Sequence, residues 1–471
     1  MQKIVFFFLA FGGFLTPLCA QETWSLERCI EYSMESNLNI QRSALTTQIN
    51  EAWLLNAKAN TLPTINGTAT NFYRFGQTID PFTNEFATSR VRSNNFSLNS
   101  SVVVFNGFQT TNSIKQSQLN LQASQYDLDK ARNDISLQVA GFYIQVLFNQ
   151  ELLSIAQAQR DITAQQVERT RKLVDAGSLP KGNLYDLEAQ LAGEELNVIT
   201  AQNNLDLSYL ALKQVMQLEP NTDMKVEVPN VQLPEQVGVE ARPGQVYDMA
   251  LTQLPDIKGA ETRLESSAVN YSIAKGGRSP RLVLSGSYGT GYSGAAQEIE
   301  SVTATTQVIG VTENGNEQVI APSASTTLRT KSFGDQIEDN LNRSIGFTLS
   351  VPIFNGLNTH TNISRARLNM EVAAKDLELT KNNVRQNIES AYADAVAAAK
   401  NYRATLKSVE ALEESFKYAQ QRFDVGLLNA VDYNLAKNNL LRAQSDLLRA
   451  KFDYVYKVKV LDFYQGKALS F

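Results

Sequence analysis

Four stretches of the chain alternate apolar and small polar residues with period two. About Thr64–Phe75, Ile65, Ala69, Tyr73 and Phe75 fall on one side, with Thr64, Asn66, Thr68 and Thr70 on the other. About Asn94–Phe105, Phe96, Leu98, Val102 and Val104 oppose Asn95, Ser97, Asn99 and Ser101. About Arg281–Tyr292, Leu282, Leu284 and Tyr288 oppose Ser285, Ser287 and Gly289; about Ser344–Phe354, Ile345, Phe347, Leu349, Val351 and Ile353 oppose Ser344, Gly346, Thr348 and Ser350. This spacing predicts strands with one apolar face. Their length suits tilted membrane strands of roughly 9–11 residues, with Tyr73, Phe75, Tyr288 and Tyr292 near one end as an interfacial girdle. Taken alone, the same pattern fits two soluble hairpins with one buried face.

Between these strands the period changes. From Gly107 to about Val174 there is no proline, and apolar residues recur every seven positions at Ile114, Leu121, Leu128, Ile135 and Phe142. The row reappears as Ile363, Met370, Leu377, Val384, Ala391 and Ala398, with a companion at Ile388, Ala395, Tyr402, Val409, Phe416 and Phe423. A seven-residue repeat predicts knobs-into-holes packing. A helix of about 68 residues would be roughly 100 Å long, which suits a stalk, coiled coil or tube.

The whole pattern occurs twice. Phe105-Asn106-Gly107 recurs as Phe354-Asn355-Gly356, Tyr143 as Tyr392, and Asp175-Ala176-Gly177 as Asp424-Val425-Gly426, each at an interval of 249 (356 − 107, 392 − 143, 426 − 177). The beginnings align at 217 (257 − 40 for Ile40 and Ile257, 280 − 63 for Pro63 and Pro280), so the second copy carries 249 − 217 = 32 extra residues between its strands. The predicted organisation is a first repeat over 21–219 (helix, strands about 64–75 and 94–105, long helix about 107–174, returning helix about 182–218) and a proline-spaced linker over 220–243. A second repeat covers 244–466 (helix, strands about 281–292 and 344–354 around an inserted loop about 293–343, long helix about 357–424, returning helix about 430–464). A tail covers 467–471. Within the insertion, Asn314-Gly315 between Val308–Thr312 and Gln318–Ile320 predicts a small hairpin. It would narrow a channel mouth or form mobile surface; mobile surface is the favoured expectation.

Residues 1–20 differ in kind: Lys3, an apolar run over Ile4–Phe11, and Ala20 before Gln21 read as a secretory signal peptide, too short to span a membrane. Cleavage after Ala20 is the preferred reading, with lipid modification of Cys19 as the alternative. Cleavage leaves Cys29 as the remaining cysteine, so an internal disulfide is excluded. The formal net charge of −5 without a block of like charge argues against nucleic acid. His360 is the sole histidine, and no metal-ligand cluster, phosphate loop or nucleophile elbow is present; neither enzyme activity nor a cofactor is expected.

Exported strands that cross lipid must close on themselves, and four strands cannot. Copies must therefore pool strands, and three chains would give about twelve. At this point the Trp24-Ser25-Leu26-Glu27 opening, Leu38-Asn39-Ile40, Pro63, Pro352-Ile353-Phe354-Asn355-Gly356, and Arg422-Phe423-Asp424-Val425-Gly426-Leu427-Leu428 followed by Asp432 resemble the TolC family of outer-membrane efflux proteins. The resemblance covers nearly all of the mature chain. It implies an α+β, internally duplicated homotrimer in the cell outer membrane. Four membrane strands per chain would contribute to a shared twelve-stranded barrel, and coiled-coil helices would form a periplasmic α-barrel. The implied role is the passive exit duct of a tripartite efflux or type I secretion system, served by an inner-membrane pump through a periplasmic adaptor. The lipid-facing residues would be Ile65, Tyr73, Phe96, Leu98, Leu282, Leu284, Tyr288, Phe347, Leu349 and Val351. Adaptor docking falls on Gly177, Ser178, Leu179, Gly426, Leu427 and Leu428, where helix capping by the two glycines is the plainer role. Asp432, six residues after Gly426, matches the family's acidic aperture. Its counterpart after Gly177 is Asn183, so Asp186 is the substitute there. Leu428 stands where some relatives carry a basic lock, with Lys181 as a possible replacement. A periplasmic adaptor or a structural coiled-coil stalk is the alternative reading.

Overall fold

The computed structural model describes residues 23–467 and 469, apart from 77, 80–83, 85, 88, 89, 220, 230–241 and 316. The expected signal peptide, Cys19 and most of the linker lie outside the described residues. The chain divides into two compact units: Glu51–Leu119 with Glu265–Val372, and Met1–Asn50 with Asn120–Leu264 and Ala373–Phe471.

The first copy runs β1 (Thr23–Trp24), α1 (Leu26–Ser36), α2 (Leu38–Ala59), β2 (Thr64–Arg74), the short β3 (Thr78–Ile79) and β4 (Phe86–Ala87), β5 (Val91–Phe105), α3 (Gln109–Asp175) and α4 (Lys181–Met216). After β6 (Lys225–Val226), the second runs α5 (Pro243–Gln253), α6 (Pro255–Gly276), β7 (Arg281–Ser293), β8 (Gln297–Val311), β9 (Gln318–Thr330), α7 (Phe333–Asp339), β10 (Asn342–Ser350), α8 (Asn358–Asp424) and α9 (Ala430–Tyr464). Each leading helix is broken once, at Asn37 and at Leu254, both in extended backbone. The breaks are 217 residues apart (254 − 37), the interval read from the sequence.

Three expectations need correction. The fourth strand stops at Ser350 instead of Phe354, because Pro352 has no N–H to give the ladder; Val351 therefore lies outside the sheet. The long helices start at Gln109 and Asn358, two and one residues late. Gly107 and Phe108 (φ 66° and 61°), like Gly356 and Leu357 (62° and 64°), are left-handed and cannot begin a right-handed helix. The insertion is not a loop: β8 and β9 form an antiparallel ribbon over Gln297–Thr330, followed by α7, which packs on β7. The small hairpin expected at Val308–Ile320 is only its tip.

The unit holding the strands contains an antiparallel sheet of order β10-β7-β5-β2. Both strand-to-helix junctions use the Phe-Asn-Gly repeat in the same way. Asn106 Oδ1 accepts from the Thr110 backbone at 3.3 Å while its amide donates to Thr110 Oγ1 at 2.8 Å. Asn355 does the same for Thr359 at 3.4 and 2.5 Å. The Asn caps the helix, and the Gly supplies the positive φ that turns the chain into it. At Gly107 the backbone is also crowded: a Cβ there would sit 2.5 Å from the Gly276 carbonyl oxygen and 2.5 Å from Ser279 Cβ. A Cβ at Gly356 meets nothing within 4 Å.

The other unit is a helical bundle. Its core gathers Trp24, Leu26 and Cys29 with Val139, Tyr143 and Val146 of α3, Leu205, Leu212 and Met216 of α4, and Leu448 and Phe452 of α9. Tyr143 is 1% exposed, and its hydroxyl donates to the carbonyls of Glu227 at 2.7 Å and Trp24 at 3.2 Å. It thereby pins the parallel β1–β6 pair to α3. Its counterpart Tyr392 packs on a smaller core of Val246, Ile257, Val384, Ile388 and Leu461. Burial pushes the Cys29 thiol up to about 12, so it stays protonated and unreactive. Among the described residues two charged side chains are buried in the bundle: Lys437 of α9 is 2% exposed and donates to Thr163 Oγ1 at 2.7 Å, and Glu194 of α4 is buried as well. Burial lowers the Lys437 pKa, and the Glu194 carboxylate partly opposes that shift.

Gly356→Ala should cost about 1–2 kcal/mol for a left-handed residue, and Gly107→Ala distinctly more, because the Gly276 backbone must also move. Thermal midpoints in detergent compare them, and equal shifts would contradict the crowding. Lys437, with its folded pKa below 10.5, sheds its proton before the unfolded chain does. Stability should therefore rise with pH between that lowered value and 10.5. In Lys437→Met this alkaline rise should vanish from a pH series of unfolding midpoints.

Candidate membrane face and helix turns

Residues directly opposite in an antiparallel ladder share a face. In β2–β5, Ile65 meets Ser100, Gly67 meets Leu98, Ala69 meets Phe96, and Tyr73 meets Arg92. In β5–β7, Leu98 meets Tyr288 and Val102 meets Leu284; in β7–β10, Leu284 meets Phe347 and Leu282 meets Leu349. The ladder thus brings nine of the ten expected lipid-facing residues onto one surface and leaves out Val351. A register shift between Val103 and Phe105 sets Phe105 opposite Leu282 and so adds it to this face; no sequence signal marked that bulge.

The apolar face is open to its surroundings. Ile65, Ile345, Phe347 and Leu349 are each more than three-fifths exposed. Toward the end away from the helix junctions it turns aromatic and basic: the Arg343 guanidinium lies 5.4 Å from the Tyr288 ring centre and Arg90 lies 4.7 Å from that of Tyr73. Tyrosine and arginine have one apolar and one wet end, which suits a lipid–water boundary. The opposite face carries Thr64, Asn66, Thr68, Thr70, Asn95, Ser97, Asn99, Ser101, Ser285, Ser287, Ser344 and Thr348. Among the described residues β2 pairs only with β5 and β10 only with β7, so each end of the sheet presents an unpaired row of N–H and C=O groups. No helix among the described residues is long and apolar enough to cross a membrane.

The helical unit carries the two turns. After α3, the Gly177 N–H donates to the Val174 carbonyl at 2.9 Å and the Ser178 N–H to Leu173 at 2.8 Å. After α8, Gly426 donates to Phe423 at 3.0 Å and Leu427 to Arg422 at 2.8 Å. Both are the same closing motif, with glycine left-handed at φ 73° and 78°. Gly177, Ser178, Gly426 and Leu427 are exposed, whereas Leu179 and Leu428 are half-buried.

The turns differ beyond the glycine. The second ends on Asn429, whose Oδ1 accepts from the Asp432 backbone at 2.8 Å while its amide donates to the Asp432 carboxylate at 3.0 Å. Asp432 is therefore exposed and fixed in the first turn of α9, where the helix dipole favours its charge. The equivalent positions in the first turn are Pro180, without a side-chain cap, and Asn183. Asp186 is exposed on α4, outside the capping turn. Val425, Leu427, Val431 and Leu435 around the second turn are all exposed, by 59–75%. Sequence reasoning missed Tyr433. It stacks on Phe423 with ring centres 4.5 Å apart, contacts Phe416, and accepts from the Gln166 amide at 2.7 Å, joining α3, α8 and α9 just above the turns. Its counterpart in the first copy is Leu184, so the duplication gave no signal for it. Among the described residues no group of three or more His, Cys, Asp or Glu side chains could hold a metal ion.

The family model described as "Outer membrane efflux protein" matches residues 30–216 and 246–466. The outer membrane protein TolC of Vibrio cholerae is 24% identical over 68% of this chain and 65% of its own length, and that of Escherichia coli is 22% identical over 73% and 63%. The chain thus spans a little under two-thirds of the length of these relatives. Among solved structures, the Campylobacter jejuni outer membrane channel CmeC superposes with a TM-score of 0.74 at 18% identity, covering 95% of this chain and 87% of that one. The Vibrio cholerae outer membrane protein VceC gives 0.74 at 17% identity over 94% and 96%. With both copies of the repeat inside the family match, the chain belongs to the outer membrane efflux protein family, and its place is the outer membrane.

Proposed function

We propose that three copies of this chain form an outer-membrane exit duct. Each copy contributes the β10-β7-β5-β2 sheet to a twelve-stranded barrel and its long helices to a periplasmic tube. The observation that carries the reading is the sheet itself: four strands, two unpaired edges and one exposed apolar face. In water such a face would be a liability; in lipid the face is satisfied and the edges are not. Joining β10 of one copy to β2 of the next removes every edge and keeps neighbours antiparallel. The hydroxyl- and amide-rich face then lines a wet lumen. The family's description as an outer membrane efflux protein supports transport as the role; in this reading an inner-membrane pump delivers the cargo through a periplasmic adaptor.

In the same reading the two glycine turns form the periplasmic tip. Gly177, Ser178 and Leu179 with Gly426, Leu427 and Leu428 form the adaptor's docking surface, supported by the exposed apolar side chains around the second turn. Asp432, held by Asn429, supplies one acidic group per copy to the aperture, with Asp186 as a further one. Close approach of three carboxylates would draw cations.

Leu284→Arg, on the lipid face, should cost about 2–4 kcal/mol near the bilayer midplane and lower the amount of inserted protein in outer-membrane fractions. Ser285→Arg, on the lumen face, should insert normally; similar loss in both would contradict the face assignment. Cysteines at Ser178 and Leu427 should capture a periplasmic adaptor by crosslinking in cells, and cysteines on the exposed outer face of the sheet should not. Asp432→Asn should reduce the cation preference of single-channel currents, and an unchanged preference would remove Asp432 from the aperture.

A further inference from the structure

The 32 residues present only in the second copy contribute to something more definite than a loop. β8 and β9 pair only with each other among the described residues, over a ribbon roughly 40 Å long at about 3.3 Å per residue. It leaves the sheet between the far ends of β7 and β10, opposite the helix junctions. β7 already has 13 residues, more than the roughly 9–11 that a tilted strand needs to cross lipid, so the ribbon stands beyond the bilayer.

Its base is built for rigidity. Gln336 of α7 is 1% exposed; its Oε1 accepts from the Ser293 N–H at 2.9 Å, and its amide donates to the carbonyls of Ser293 at 3.0 Å and Lys331 at 2.9 Å. The Asn340 amide donates to the Gly291 carbonyl at 2.8 Å, and the Phe333 ring packs on Tyr292 and Phe96. A buried glutamine with every bond made holds one direction of exit for the ribbon.

Above this clasp the ribbon carries no charge over 301–312 and 318–328. Its register places Val302 opposite Thr326, Ala304 opposite Ala324, Thr306 opposite Pro322 and Val308 opposite Ile320. One face is therefore predominantly apolar, and Val302, Val308 and Ile320 on it are about half exposed or more. The other face pairs Thr303 with Ser325 and Thr305 with Ser323. A lone two-stranded ribbon is marginal in water, and long uncharged edges are what soluble strands avoid. Neither lipid nor the ribbon's own sheet covers the apolar face.

We propose that this face is covered by the same faces of the ribbons on the two neighbouring copies, all three turned toward the three-fold axis, so that the ribbons form a collar at the outer end of the barrel. The choice of a second copy rests on three observations. The face lacks charge that would recognise a foreign partner, the clasp fixes its direction, and a three-fold assembly brings identical ribbons together without further cost of association. The inference rests on the trimeric reading above.

The test uses the full-length mature protein in detergent, with single cysteines at Ala304 (apolar face) and Ser325 (hydroxyl face); buried Cys29 stays silent. Trimeric mass, with a covalent dimer formed by a short bismaleimide for Ala304→Cys and lost for Ser325→Cys, is the expected result. Trimeric mass without that preference overturns the collar and leaves the duct intact. A monomeric mass overturns both.

Discussion

A backbone amide in hydrocarbon has no water to turn to, and the rest of this molecule is arranged around that fact. The sheet pairs its two inner strands on both sides along most of their length and its two outer strands on one side only. Period-two alternation supplies a face that tolerates lipid. It cannot supply a partner for the outer rows of N–H and C=O groups. On the proposed reading, the number of strands per chain turns a membrane problem into an assembly problem, in which closure between copies replaces closure within one.

Duplication builds the scaffold cheaply and then departs from symmetry where copies of the unit must differ. The Phe-Asn-Gly junction is made twice with the same capping bonds, and both long helices end in the same glycine motif. Yet Gly107 is wedged against Gly276 while Gly356 is free, and only the second turn has the Asn429–Asp432 pair, the Tyr433 stack and the exposed apolar group. The ribbon and its α7 clasp also occur once. The second copy thus carries both the more elaborate turn and the ribbon.

Much of the sheet was legible because a strand shows its faces at every second residue. Ile65, Phe96, Leu284 and Phe347 could be put on one side without knowing any partner strand. The end of the fourth strand was overrun because its apolar period continues through Val351 and Ile353 although Pro352 cannot pair. The bulge that turns Phe105 onto the apolar face depends on the register with β7, a tertiary fact. The ribbon was underestimated because Thr- and Ser-rich strands give weak alternation beside the strong Asn314-Gly315 turn. At the turns, Gly177 and Gly426 were visible as helix ends. The Tyr433 contacts with Gln166 and Phe423, and the burial of Lys437 against Thr163, join residues on separate helices, and a single-chain pattern does not show which helices meet.

The most direct measurement is amide hydrogen exchange on the two outer strands, with the protein reconstituted in lipid vesicles. If copies join through β10 and β2, the outward-pointing amides of Asn66–Phe72 and Ser344–Thr348 should be as protected as those of β5 and β7. Fast exchange at alternate residues of both strands, beside a protected sheet interior, would show the edges open and contradict the account.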